Sequence, residues 1–179
     1  RETYQATLAA AKVNGPVYIR IESTKEPELY ENSYDFEIGR GIILHEGNDL
    51  TAVGAGSIVY DLLQAAVALE QQGIMVRVID LHTIKPIDRE LLLAATRETQ
   101  ALLTVEEHYI AGGLGGAVAE VLMDGANQPV IFERMGLKDE FAHGYGARPE
   151  IKAMNGLGLQ DIREKMIQIH ERKRSILRR

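Results

Sequence analysis

The chain has 179 residues, 45% of them hydrophobic and 26% charged, the balance of a globular protein long enough to bury a core. It contains no cysteine, which excludes disulfides, thiol nucleophiles and thiolate metal ligands within it. A formal net charge of -6 argues against general affinity for nucleic acid, and no apolar run reaches the roughly 18 to 20 residues that cross a bilayer.

The first residues, from Arg1, already read as a helix, so a larger parent protein is expected. Tyr4, Leu8, Ala10 and Ala11 recur near helical spacing over Thr3 to Val13, and Asn14-Gly15-Pro16 then stops the helix. Val17 to Ile21 reads as a strand, and the polar stretch from Glu22 to Asp35 as a linker between domains. A second unit starts near Phe36. In it, Ile42-Ile43-Leu44 and Leu50 to Val53 read as strands joined by the tight turn Glu46-Gly47-Asn48-Asp49, which predicts an antiparallel hairpin. Ser57 stands where it can cap a helix with Ile58, Leu62, Ala65, Ala66 and Leu69 on one face, and Gly73 ends it.

The strand Met75 to Ile79 follows, then a helix entered at Pro86 through Leu91, Leu92 and Ala95, and the strand Ala101 to Val105. After a glycine-rich turn come a helix over Leu114 to Met123, the strand Val130 to Glu133, and a final helix from Leu159 towards Ile169. Five strands alternating with helices predict a three-layer α/β fold, its five-stranded sheet mostly parallel with one antiparallel edge strand. The basic run Arg172, Lys173, Arg174, Arg178 and Arg179 reads as a solvated helix end.

Gly54-Ala55-Gly56 follows a strand and opens a helix, as in a dinucleotide-binding unit, but the third glycine position holds the branched Val59. Gly112-Gly113-Leu114-Gly115-Gly116 fails in the same way at Val118, and no lysine followed by Ser or Thr makes a P-loop. Tight turns and close helix packing are the expected roles of these glycines. Glu106, Glu107 and His108 end a strand at the edge where open α/β sheets carry function. Adjacent strand residues face opposite ways, so only one of the two carboxylates can share a face with His108. His45, His82 and His143 are scattered without metal-ligand spacing. Arg20, on the strand before the expected domain crossing, carries a planar fork suited to a phosphate or carboxylate.

The phrases Val78-Ile79-Asp80-Leu81-His82-Thr83-Ile84-Lys85-Pro86-Ile87-Asp88, Leu103-Thr104-Val105-Glu106-Glu107-His108 and Gly112 to Glu120 resemble the C-terminal domain of transketolases. The resemblance covers about Ile38 to Ile169, and Val17 to Ile21 resembles the last strand of the pyrimidine-binding domain before it. It implies residues 1–35 as the end of that domain with a linker, and 36–179 as the C-terminal domain. The parent would move a two-carbon ketol unit between phosphorylated sugars in the pentose phosphate pathway, using thiamine diphosphate and Mg2+ bound by domains outside this segment. The segment would serve assembly, as a homodimer or other homo-oligomer or with the missing catalytic domains or subunit, and would be inactive alone. No catalytic, cofactor-binding or metal-binding residue is implied within it; Arg20 is implied as a contact to substrate phosphate. Deoxyxylulose phosphate synthases and the β subunits of 2-oxo acid dehydrogenases share the domain and are the alternatives, with a ligand-binding or dimerisation module. The implied location is cytoplasmic, with no membrane or nucleic-acid partner.

Overall fold

In the computed structural model, which describes residues 1–22, 27–30 and 34–178, five strands form one sheet. They are β1 (Ile42–His45), β2 (Leu50–Gly54), β3 (Val76–Asp80), β4 (Ala101–Tyr109) and β5 (Ile131–Leu137), in the spatial order β1-β3-β2-β4-β5. The helices are α1 (Glu2–Ala10), α2 (Ile58–Glu70), α3 (Arg89–Thr99), α4 (Leu114–Gly125), α5 (Arg148–Met154) and α6 (Leu159–Leu177). The three-layer α/β architecture and the single antiparallel edge are as the alternation of elements predicts.

Every residue of β2 is buried, because α2 and α6 cover one face of the sheet and α3 and α4 the other. Leu62, Ala66 and Leu69 of α2 and Ile162, Met166 and Ile169 of α6 pack on Ala52, Val78 and Leu103. On the opposite face Leu92 and Ala95 of α3 and Val118 and Val121 of α4 enclose Val53, Ile79 and Leu102. A sheet buried on both sides reads as continuous apolar runs, as Leu50 to Val53 does.

The antiparallel partner of β1 differs from the one the tight turn predicts. β1 pairs with β3, Ile42 opposite Asp80 and Ile43 opposite Ile79, while β2 is parallel to β3 on its other side. Since β2 already has β3 and β4 as neighbours, neither of its edges is open to β1. The connection therefore steps across the start of β3. A Cβ on Gly47 would stand 2.4 Å from the Val76 carbonyl carbon, so glycine lets the chain cross against that backbone. Asp49 fixes the crossing, its backbone N–H donating to Met75 O at 2.9 Å and its Oδ2 accepting from Met75 N at 2.8 Å.

Other local expectations also shift. Helix α3 begins at Arg89, three residues beyond Pro86, because Asp88 accepts from Leu91 N at 3.0 Å and caps it. Ser57 makes no side-chain cap on α2. Helix α5 has no counterpart among the elements expected from the sequence, and α6 runs eight residues past Ile169 to Leu177. The segment Val17 to Ile21 belongs to no strand, since a strand needs a ladder partner and the described residues supply none. Helix α1 buries no residue, and Tyr4, Leu8, Tyr18 and Ile21 stay exposed.

The expected linker includes residues 23–26 and 31–33, which lie outside the described residues. Its described part is anchored to the domain. Tyr30 stacks on Tyr34 with centroids 3.8 Å apart, Tyr34 meets Phe36 edge-on at 6.5 Å, and Phe36 stacks on His82 at 4.2 Å.

Candidate functional site

Strand β2 continues through α2 towards β3 on one side, whereas β4 continues through α4 towards β5 on the other. The strand order thus diverges between the C-terminal ends of β2 and β4. In doubly wound sheets this crevice is where ligands bind. Here both glycine-rich turns open onto it, Gly54-Ala55-Gly56 after β2 and Gly112 to Gly116 after β4.

At the second turn the anion is supplied by the chain itself. Glu106 is 5% exposed, and its two oxygens accept from Leu114 N at 2.8 Å and Gly115 N at 2.9 Å, the free amides at the start of α4. A carboxylate at the positive end of a helix satisfies donors that an external phosphate would otherwise take. A Cβ on Gly113 would fall 1.8 Å from Glu106 Oε2, so glycine is what lets the carboxylate reach the helix. At the first turn Glu22 comes close to the chain without capping it: its Oε1 lies 3.0 Å from where a Cβ on Gly56 would stand, and its carboxylate pairs with Arg148.

Glu107 points to the other face of β4, as the alternation of a strand requires. Its carboxylate receives Arg148 in a two-point contact, Nε to Oε2 and Nη2 to Oε1, both 2.9 Å. Arg148 Nη2 also reaches Glu22 Oε2 at 2.7 Å and contacts the Ser57 hydroxyl, while Ser57 Oγ lies 3.3 Å from Glu107 Oε1. Beside them Lys152 pairs with Asp61 and lies 3.8 Å from Glu107. Next to this cluster is a cavity of about 370 Å³ with Leu137, Ile151 and Leu157 on its apolar side and Glu107, Arg148 and Lys152 on its charged side. Arg148 stands at the start of α5, where Glu150 folds back to accept from Ala147 N at 3.0 Å.

The residues singled out in the sequence are dispersed by the fold. Glu106 and His108 share a face, 3.9 Å apart, and His108 Nδ1 is 2.9 Å from Tyr109 O. His45 Nδ1 is 2.8 Å from Val76 O. His82 stacks on Phe36, and burial holds its imidazole below its ordinary pKa. No group of three or more His, Asp or Glu among the described residues could hold a metal ion. Arg20 is exposed, two residues before Glu22. The residue that sequence reasoning missed is Arg148. Its only sequence signal is Pro149 beside it, a helix-start residue that marks α5.

The strand order and mostly parallel register define a doubly wound α/β domain. Residues 39–162 match the family described as "Transketolase, C-terminal domain". The chain belongs to this family. It is 40% identical over 163 residues to an apulose-4-phosphate transketolase subunit of Phocaeicola vulgatus, an alignment covering 90% of this chain and 51% of that protein. It is 42% identical over 132 residues to "1-deoxy-D-xylulose-5-phosphate synthase" of Desulfitobacterium hafniense, covering 73% of this chain and 21% of that protein. A solved structure described as "Split gene transketolase, inactive beta4 tetramer" superposes with a TM-score of 0.87 at 39% identity, over 94% of this chain and 55% of that one. The chain thus spans about half the length of the transketolase subunit it matches. The family expected from the Val78 to Asp88, Leu103 to His108 and Gly112 to Glu120 phrases is the one found.

Proposed function

We propose that this chain is the C-terminal section of a transketolase-type enzyme that transfers a two-carbon ketol unit between phosphorylated sugars, and that it serves assembly and positioning, without catalysing alone. The observation that carries this reading is the state of the crevice. Glu106 holds the amides of the second glycine turn, and Glu22, paired with Arg148, lies against Gly56 of the first.

These residues do not fit thiamine diphosphate and Mg2+. Glu106 already occupies the amides at the second turn that a diphosphate would need, and the described residues offer no cluster of ligands for a divalent ion. When bound elsewhere in the parent enzyme, the cofactor supplies the carbanion chemistry of ketol transfer.

Residues 1–35 are read as the end of the preceding pyrimidine-binding domain and its linker, and 36–179 as the C-terminal domain. The exposed Tyr4, Leu8, Val17, Tyr18 and Ile21 support this, since apolar side chains exposed in one segment suit a contact with another surface. Arg20 is read as a contact to substrate phosphate, since it is exposed and carries a planar fork suited to a phosphate. The partner is the catalytic part of the enzyme, with a second copy of this chain in the assembly. The solved relative, described as an inactive β4 tetramer, supports a section that assembles without activity. No helix among the described residues is long and apolar enough to cross a membrane, and a cytoplasmic location is part of this reading.

The test is to incubate the purified chain with thiamine diphosphate, Mg2+, a ketose phosphate and an aldose phosphate. No turnover is expected until the catalytic part is added, whereupon ketol transfer appears. Turnover by the chain alone refutes the reading. The deoxyxylulose phosphate synthase relative supports a second reading, in which the completed enzyme makes deoxyxylulose phosphate and does not exchange ketol units between sugars.

A further inference from the structure

We infer that Arg148 is a positioning residue for substrate phosphate: held by Glu107, it clamps Glu22 and so fixes the segment that presents Arg20. This rests on the reading of Arg20 given above. Arg148 and Glu22 are 126 positions apart, yet Nη2 lies 2.7 Å from Oε2, with the side chains 23% and 27% exposed. The same guanidinium uses Nε and Nη2 on Glu107, so its orientation is set by a rigid two-point contact on β4 before it meets Glu22. Arg20 lies two residues from Glu22, at most about 7 Å along an extended chain.

The clamp also settles a charge problem. Glu22 so close to Arg20 would repel an incoming phosphate within the Debye length. Arg148 neutralises that carboxylate and turns it towards α2, where Gly56 makes room for it. Without Arg148, Glu22 and Glu107 face each other as like charges, and Lys152, shared between Asp61 and Glu107, offsets only part of that charge. The segment carrying Arg20 then loses this link to the domain.

Because the chain has no cysteine, a pair of introduced cysteines carries spin labels at defined places. Tyr18→Cys and Met123→Cys use side chains that are 88% and 86% exposed. The distance distribution between the labels should be narrow in the otherwise unchanged chain and broad with Arg148→Met. With Arg148→Lys, which restores charge without the fork, it should be intermediate. An unchanged distribution with Arg148→Met overturns the clamp.

In the intact enzyme, Arg148→Met should raise KM for a phosphorylated sugar about tenfold, about 1.4 kcal/mol, with kcat and unphosphorylated sugars little changed. Added to Arg20→Gln it should cost nothing more, because the two act through one contact. An equal loss for phosphorylated and unphosphorylated sugars, or additive losses, overturns the positioning role. If Arg20→Gln itself leaves KM unchanged, the phosphate reading of Arg20 fails and the positioning role with it. The label distances then report a purely structural clamp.

Discussion

Tyr30 donates its phenolic hydrogen to Asp80 Oδ2 across 2.5 Å, joining the segment before β1 to the end of β3. Asp80 is fully buried, and burial first, then the nearby Glu2 carboxyl, raises its pKa well above the ordinary value, with the bond from Tyr30 partly opposing. The Tyr30 phenol is itself pushed up, by burial and then by the charge of Asp80.

A raised carboxyl pKa in the folded state means that the folded chain keeps a proton the unfolded chain releases. The stability tied to Asp80 is therefore fully present below the unfolded pKa of about 3.9 and is lost as pH rises from there through the raised value. Asp80→Asn removes the titration and leaves an acceptor for Tyr30. Its urea midpoint relative to the parent chain should improve as pH rises above about 4. A difference that shrinks over that range contradicts the assignment.

His82 has the opposite sign. Burial depresses its pKa, so the folded state holds it neutral; its contribution is present above the unfolded value of about 6.5 and falls away as pH drops below it. His82→Phe keeps an aromatic ring against Phe36 and cannot protonate. Between about pH 7 and about pH 5 the parent chain should lose more stability than this variant, as read from paired denaturation curves.

Glu106 is expected to be structural. Glu106→Ala leaves the amides of Leu114 and Gly115 buried without an acceptor, a loss of about 2–6 kcal/mol at about 1–3 per orphaned group. Gly113→Ala should damage the same contact, since the new Cβ collides with the Glu106 carboxylate. Gly116→Ala, with nothing within 4 Å of the added carbon, should instead stabilise by up to about 1 kcal/mol through helix propensity. Thermal denaturation of the three variants separates them by sign.

The crossing between β1 and β2 can be tested at Gly47. A methyl group there meets the backbone of Met75, Val76 and Arg77, so Gly47→Ala should cost several kcal/mol, on the order of 3, because backbone atoms cannot yield as a flexible side chain does. A hairpin turn at this place would tolerate alanine with a loss of about 1 kcal/mol or less.

How far the sequence could be read depended on the range of the interactions. The period of Ile58, Leu62, Ala65, Ala66 and Leu69 is a local property of one helix, and it identified the buried face of α2 correctly. The alternation of β4 separated Glu106 from Glu107 before any contact was known. Ser57 looked like a cap, but tertiary contacts took it: its hydroxyl meets Arg148 and Glu107, residues far along the chain. Gly47 looked like part of a hairpin because a tight turn and a tight crossover require the same residues.

The sequence alone therefore determined the main elements, the two-sided burial of the sheet and, through recognisable phrases, the family. Each of these follows from residues near one another in the chain. Tertiary structure decided which strand β1 pairs with, that Glu106 takes the amides of the second glycine turn, and that Arg148 joins Glu22 to Glu107. Those outcomes depend on charges and backbone edges that meet only after folding, across separations of up to 126 positions that no local pattern encodes.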